Sequence, residues 1–259
     1  MTSFEYGNFD KFDYKYTIEY DIRTLSPLSI RSGESFLGPI DNPIIRINFN
    51  GKTVPYIPGS TLKGIFRSET EKLARSLSKD PSIVCDILNP RGENGELKRK
   101  KDAENNEKTK SIYLPCLICR IYGGPTYASH VYFYNAYPKE NSYSIGLIRR
   151  VSISRITGSQ MPGRLFDCEF VTPNSLFHGK VVIENIDILS PITDSLSESS
   201  LFNRVFSNFT KGLIPIGGMR SAGYGDVKIE NIKVNKMYIL EGKLDTKDVT
   251  NEYLSIIGV

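Results

Sequence analysis

The sequence predicts an α+β fold: a ferredoxin-like or RRM-like sheet with two helices on one face. Three observations predict it. Tyr16, Ile18, Tyr20 and Ile22 alternate with Thr17, Glu19 and Asp21, the pattern of a strand with one buried face. Two segments repeat apolar residues at helical spacing, Leu62, Ile65, Phe66, Leu73 and Leu77 in one, Leu196, Leu201, Val205, Phe206 and Phe209 in the other. The elements run strand, hairpin, helix, strand, strand, helix, strand. Residues 1–259 then form a single domain, with insertions at about 80–128 and 138–180 standing outside the core.

Each element has its local reason. After the first strand, Leu25-Ser26-Pro27 breaks the chain and Leu28 and Ile30 open a second short piece. Arg31 to Ser35 is a polar loop leading to Asp41-Asn42-Pro43, where Pro43 biases Asn42 to extended geometry. Ile45, Ile47 and Phe49 alternate, and Asn50-Gly51 then supplies the positive φ angles of a two-residue hairpin. Pro58-Gly59-Ser60 ends the return strand, and Ser60 or Thr61 is placed to cap the first helix. Ser195, Ser197 or Ser199 is placed to cap the second helix, and Gly212 to end it. GKVVIENI (179–186) and GDVKIENI (225–232) agree at six of eight positions, which suggests two equivalent strands.

Composition narrows the class. Hydrophobic content of 39% and charge of 24% suit a globular protein of 259 residues. No run reaches the length of a membrane span, and the acidic, aromatic start MTSFEYGNFDKFDYKY is unlike a signal peptide, so a cytoplasmic location is expected. A net charge of +4 permits a nucleic-acid partner only through local basic surface.

That surface is local. Residues 141–166 hold Arg149, Arg150, Arg155 and Arg164 and no acidic residue, with Gly158, Pro162 and Gly163 as punctuation. Such a stretch projects as a ribbon whose arginines face solvent or phosphates. In the first helix, Lys63 and Arg67 lie one turn apart near free N–H groups. Those residues read equally as an anion site or as a solvated face. Residues 89–110 carry seven basic and five acidic residues and read as a solvated, mobile insertion. Cys116 and Cys119 form a CxxC, and Cys85 and His130 are candidates to complete a tetrahedral Zn2+ site, with buried free thiols as the rival.

Two strings carry a resemblance. IDNPII followed by YIPGSTLKGIFR, and the glycine loop GGMRSAGYG at 217–225, resemble the RAMP superfamily, whose members bind RNA in CRISPR effector complexes. The similarity is greatest to the backbone subunit of type III (Csm/Cmr) antiviral complexes. CRxYGG and SRITGSQ followed by LFDCEFV add to it, so it covers most of the chain. The resemblance implies that the first insertion is a Cys-containing lid and the second a β-hairpin thumb lying across guide RNA. It implies that Asp41 cleaves paired target RNA with a divalent metal, Mg2+ or Mn2+. Partners would be guide RNA, target RNA, further copies of the chain or related RAMP subunits, and other effector subunits, with no membrane.

On this reading RNA is held by Ser60, Lys63, Arg67, Arg149, Arg150, Arg155, Arg164, Gly217, Gly218 and Arg220. Tyr224 is placed to stack on a base, and Met161 to wedge between bases near the thumb tip. Glu34 is a candidate second oxygen ligand beside Asp41. By residue chemistry alone Asp41 reads first as the residue of an Asx-turn, and only the resemblance favours a catalytic role. A non-catalytic scaffold and a guide-processing endoribonuclease are the alternatives; the latter has only His130 and His178 to draw on.

Overall fold

The computed structural model describes residues 11–31, 40–80, 83–104, 115–193 and 196–259. Its main sheet is antiparallel throughout and built around β1, Tyr14–Thr24. One neighbour of β1 is β8, Leu176–Glu184; the other is β9, Val227–Leu240. Beyond β9 lies β10, Lys243–Asp248, and beyond β8 lie β4, Val131–Phe133, and β5, Tyr137–Pro138. The expected alternation holds, since Tyr16, Ile18, Tyr20 and Ile22 are all fully buried.

Those four side chains face the helices. The helix α1, Gly59–Leu77, packs on α4, Glu198–Thr210, and α4 packs on α5, Thr250–Ile257. Phe66 sits at the centre of this layer, its ring 4.8 Å from Phe133, 5.1 Å from Phe209 and 6.1 Å from both Phe202 and Phe206. Tyr20 meets Phe206 and Phe209 edge-on from the sheet side. The buried stripe of α1 is Leu62, Phe66, Thr70 and Ala74, while Leu77 is 46% exposed. The helix rotates its last turn out of the core, so the expected place of Leu77 in the stripe is corrected.

Helix starts differ in mechanism. Of the three candidate serines, Ser197 caps α4, accepting from Ser200 N–H. Neither Ser60 nor Thr61 caps α1. The N-cap is Pro58, and Asn135 Oδ1 accepts from Gly59 N–H at 2.9 Å. A Cβ on Gly59 would lie 2.2 Å from Phe133 O, so glycine lets the helix start press against β4.

The hairpin at Asn50-Gly51 forms as expected, joining β2, Arg46–Phe49, to β3, Lys52–Pro55, with φ of 51° and 77° at the turn. Its buried residues are Val54 and Pro55, with Ile44 buried just before it, rather than Ile45, Ile47 and Phe49. Phe49 instead stacks on Tyr137 at 4.2 Å. The charged stretch expected to be solvated contains a helix, α2, Glu96–Glu104, anchored by a fully buried Glu96. The CxxC lies at and within α3, Leu117–Tyr122. A separate two-stranded ribbon consists of β6, Ile145–Ile153, and β7, Gln160–Val171. The core strand β8 begins at Leu176, inside the stretch 138–180 read as insertion.

The two similar octapeptides occupy equivalent places, flanking β1. Glu184 pairs with Lys15 at one end of β1 and Glu230 with Arg23 at the other, at 2.7 and 2.9 Å. Each glutamate is followed by an asparagine at positive φ, Asn185 and Asn231.

The packing yields a direct contrast. Phe66→Ala should lower unfolding free energy by about 3–5 kcal/mol. Leu77→Ala should change it by less than about 0.5 kcal/mol. Urea denaturation of the two variants checks both values.

Candidate nucleic-acid interface

Four consecutive carbonyls draw the candidate residues together. Pro27 O accepts from Gly225 N–H at 2.9 Å, and Leu28 O from Val171 N–H at 2.8 Å. Ser29 O accepts from Gly218 N–H at 2.8 Å, and Ile30 O from Ile45 N–H at 2.8 Å. The glycine loop, the ribbon base and the segment after Asp41 therefore share one spine. Two glycines make this approach possible. Gly217 (φ +82°) would place a Cβ 2.7 Å from Ser29 O, and Gly225 (φ +91°) one 2.1 Å from Ile216 O.

Asp41 is exposed, and its position is fixed. Its Oδ2 accepts from Asp167 N–H at 2.8 Å, and Asn42 N–H donates to Asp167 O at 3.0 Å. The backbone of β7 thus orients the Asp41 carboxylate at the base of the ribbon. Glu34 lies outside the described residues.

The ribbon arginines divide in two. Arg155, in the turn of the ribbon, and Arg164, within β7, are exposed, as a phosphate-binding reading needs. Arg149 is not free. Asp167, one residue beyond the acid-free window, takes its guanidinium at 2.9 and 3.0 Å. That pair holds the Asp167 carboxyl below its usual range and raises Arg149. Arg150 lies 5.1 Å over the Tyr224 ring. Tyr224 is only 7% exposed and meets Phe170 edge-on, so it cannot present its face to a base as expected. The side chain at the ribbon tip is Ile156, 96% exposed, whereas Met161 lies back in β7 and is 36% exposed.

The glycine loop presents one cation. Arg220 to Gly223 are exposed around a short 3-10 turn. The N–H groups of Gly218 and Gly225 are committed to the spine, so these glycines serve backbone packing. On α1, Ser60 is exposed. Lys63 is partly buried, and its ammonium is held below its usual range by burial and then by Arg67. Arg67 is committed inward. It donates to Gly123 O at 2.7 Å and to Glu71 at 3.0 Å, and lies 3.5 Å from Cys119 Sγ. The expected role of Arg67 on RNA is thereby corrected: its charge is used inside the protein.

The thiols converge. Cys85, Cys116 and Cys119 are buried with their sulfurs all within 4.8 Å of one another. Hydrogen bonds among them hold the Cys116 thiol well below its usual range and push the Cys85 thiol up. His130 does not join them; its Nδ1 lies 2.8 Å from Glu184 O. The fourth side chain is Glu96, whose Oε2 lies 3.7 Å from Cys119 Sγ and whose other oxygen accepts from Thr126. Glu96 was hidden in a run of like-looking polar residues. Cys168 is buried in β7.

A second polar cluster, unexpected from sequence, lies on the sheet face away from the helices. Asp21, 2% exposed, accepts from Lys139 at 2.5 Å and Asn231 at 2.8 Å, with His178 Nδ1 at 3.2 Å. It lines a shallow cavity of about 410 Å³ with Glu19 and Lys233. Burial pushes the Asp21 carboxyl up, but these three partners outweigh it and hold it below the usual range.

The RAMP superfamily model matches residues 21–228, and the chain belongs to that superfamily. It is 27% identical over 243 residues to the protein named CRISPR system Cms endoribonuclease Csm3 of Methanocaldococcus jannaschii, covering 85% of this chain and 80% of the relative. No described helix is long and apolar enough to cross a membrane.

The Asp21 cluster makes a signed prediction. Asp21→Asn should cost about 2 kcal/mol at neutral pH through lost charge-assisted hydrogen bonds. The folded pKa is lowered, so this stabilisation is complete above the unfolded value of ~3.9. The difference between the two proteins should shrink as pH falls from there through the native pKa. Chemical denaturation at stepped pH measures it.

Proposed function

We propose that this chain is a backbone subunit of a type III CRISPR effector complex, lying along guide RNA in the cytoplasm beside copies of itself or related subunits. It would cut paired target RNA at Asp41. The observation that carries the reading is the fixed, exposed Asp41 carboxylate at the base of a ribbon bearing Arg155 and Arg164. A single spine joins that base to the loop of Arg220. Base pairing supplies sequence selection, so the protein needs only to hold phosphates.

The architecture supports the finer fold reading. Strand order β9-β1-β8-β4, with α1 between β1 and β4 and α4 between β8 and β9, is that of a ferredoxin-like core. The β6–β7 ribbon would then be the thumb, with Ile156 rather than Met161 as the side chain that parts bases. The α2–α3 segment would be the lid.

In the cleavage step, a free Asp41 oxygen accepts the proton of the target's 2′-hydroxyl. The deprotonated 2′-oxygen bonds to phosphorus, closing a 2′,3′-cyclic phosphate, as the 5′-oxygen departs and takes a proton from solvent. Asp167 N–H keeps the second carboxylate oxygen in place, so the base does not rotate away. A hard carboxylate oxygen suits Mg2+ or Mn2+, which supplies charge neutralisation at the phosphate when bound. Much of the rate comes from holding the splayed backbone in line. In the lid, three buried sulfurs and the Glu96 oxygen suit a structural Zn2+.

Two experiments test this. In a reconstituted complex, Asp41→Ala should slow target cleavage by about 100-fold or more, with guide and target still bound. Unchanged cleavage with retained binding makes the chain a scaffold instead. Elemental analysis of the purified chain should find zinc, and Cys116→Ser should abolish it and lower Tm. Full stability of Cys116→Ser with no zinc in either protein would leave the cluster as buried thiols.

A further inference from the structure

We infer that Glu169 is a positioning residue for Asp41, coupling the β6–β7 ribbon to the cleavage segment; the inference rests on the proposed role of Asp41. Glu169 stands on β7, two residues past Asp167, and is 6% exposed. Its carboxylate leaves the ribbon and crosses to the segment after Asp41. Oε2 accepts from Ile44 N–H at 3.1 Å, and Oε1 accepts from the Arg46 guanidinium at 2.8 Å. The backbone does the same one step earlier, where Glu169 N–H donates to Asn42 O at 3.0 Å. Residues 41–46 are therefore held to β7 at four successive points: the Asp41 carboxylate, the Asn42 amide and carbonyl, the Ile44 amide and the Arg46 side chain.

A buried carboxylate is a poor way to gain stability. Desolvating it offsets most of the attraction to Arg46, and an apolar pair of similar volume would hold the strands as well. What the carboxylate adds is direction. Its two oxygens take two donors from one segment, so a tilt of the ribbon must carry residues 44–46 with it. Asp41 lies at the near end of that segment and hangs from the same strand. Any nucleic acid that moves the ribbon thus moves the Asp41 oxygens relative to the target backbone. Misplacement of a reacting group by about 1 Å can cost on the order of 100-fold in rate.

The test uses the reconstituted complex with guide and target RNA. Glu169→Ala should lower kcat for target cleavage about 10- to 100-fold, leaving KM and guide retention unchanged. Glu169→Gln, whose amide oxygen still accepts from Ile44 N–H, should recover much of that rate. The double variant with Asp41→Ala should be no slower than Asp41→Ala alone. Should Glu169→Ala fail to assemble, Arg46→Ala removes the partly exposed partner and should give the same kcat loss. Wild-type kcat in the assembled Glu169 and Arg46 variants, or a raised KM at unchanged kcat, overturns the inference while leaving Asp41 in place. Full cleavage by Asp41→Ala overturns the proposed function itself.

Discussion

Everything in the candidate interface depends on four carbonyls in a row, Pro27 to Ile30. Each one accepts from a different place: the end of the glycine loop, the ribbon base, the start of the glycine loop, and the strand after Asp41. Buried carbonyls must be satisfied, so moving the ribbon base or the start of the glycine loop leaves an orphan at the buried Leu28 or Ser29. Leu28 pins the run from below, 2% exposed and paired both ways with Val171. This is why loops distant in sequence behave as one surface.

Three of the candidate arginines are engaged by the protein itself. Arg67 ties α1 to α3, Arg149 neutralises Asp167, and Arg150 covers Tyr224. Each of these would be counted as a phosphate ligand from its position in the sequence, and each instead fixes an element. Of the candidate arginines among the described residues, Arg155, Arg164 and Arg220 face outward without a partner of this kind. A net charge of only +4 is consistent with that division. On the proposed function, such solvent-facing arginines would hold a phosphate chain without reading it and leave sequence to base pairing.

The elements with a strong period were legible. The alternation in β1, the Asn50-Gly51 turn and the cap at Ser197 each follow from local chemistry, and all are present. What was not legible involves partners far apart in the chain. Tyr224 looked like a stacking surface because nothing nearby in sequence covers it; Arg150 and Phe170 do so in space. Arg149 looked unpaired because Asp167 lies just past the arginine-rich window but directly across the ribbon register. His130 had the right chemistry for a metal, but its ring lies against the β8 carbonyl of Glu184, apart from the thiols. Glu96 gave no signal at all within its charged run.

The same limits explain why the site's two carboxylates differ in visibility. Asp41 is held by a backbone N–H, and backbone partners leave no trace in side-chain patterns; only the resemblance pointed to it. Asp21 is the reverse. Its three side-chain partners come from three separate strands or loops, and a bulge in β9 at Asn231 turns one of them towards it. That bulge falls in the second of the two similar octapeptides, where the first simply ends its strand at Asn185. One local conformation, an asparagine at positive φ, therefore terminates a strand on one side of β1 and bends a strand on the other. The surrounding pairing, not the octapeptide, decides which.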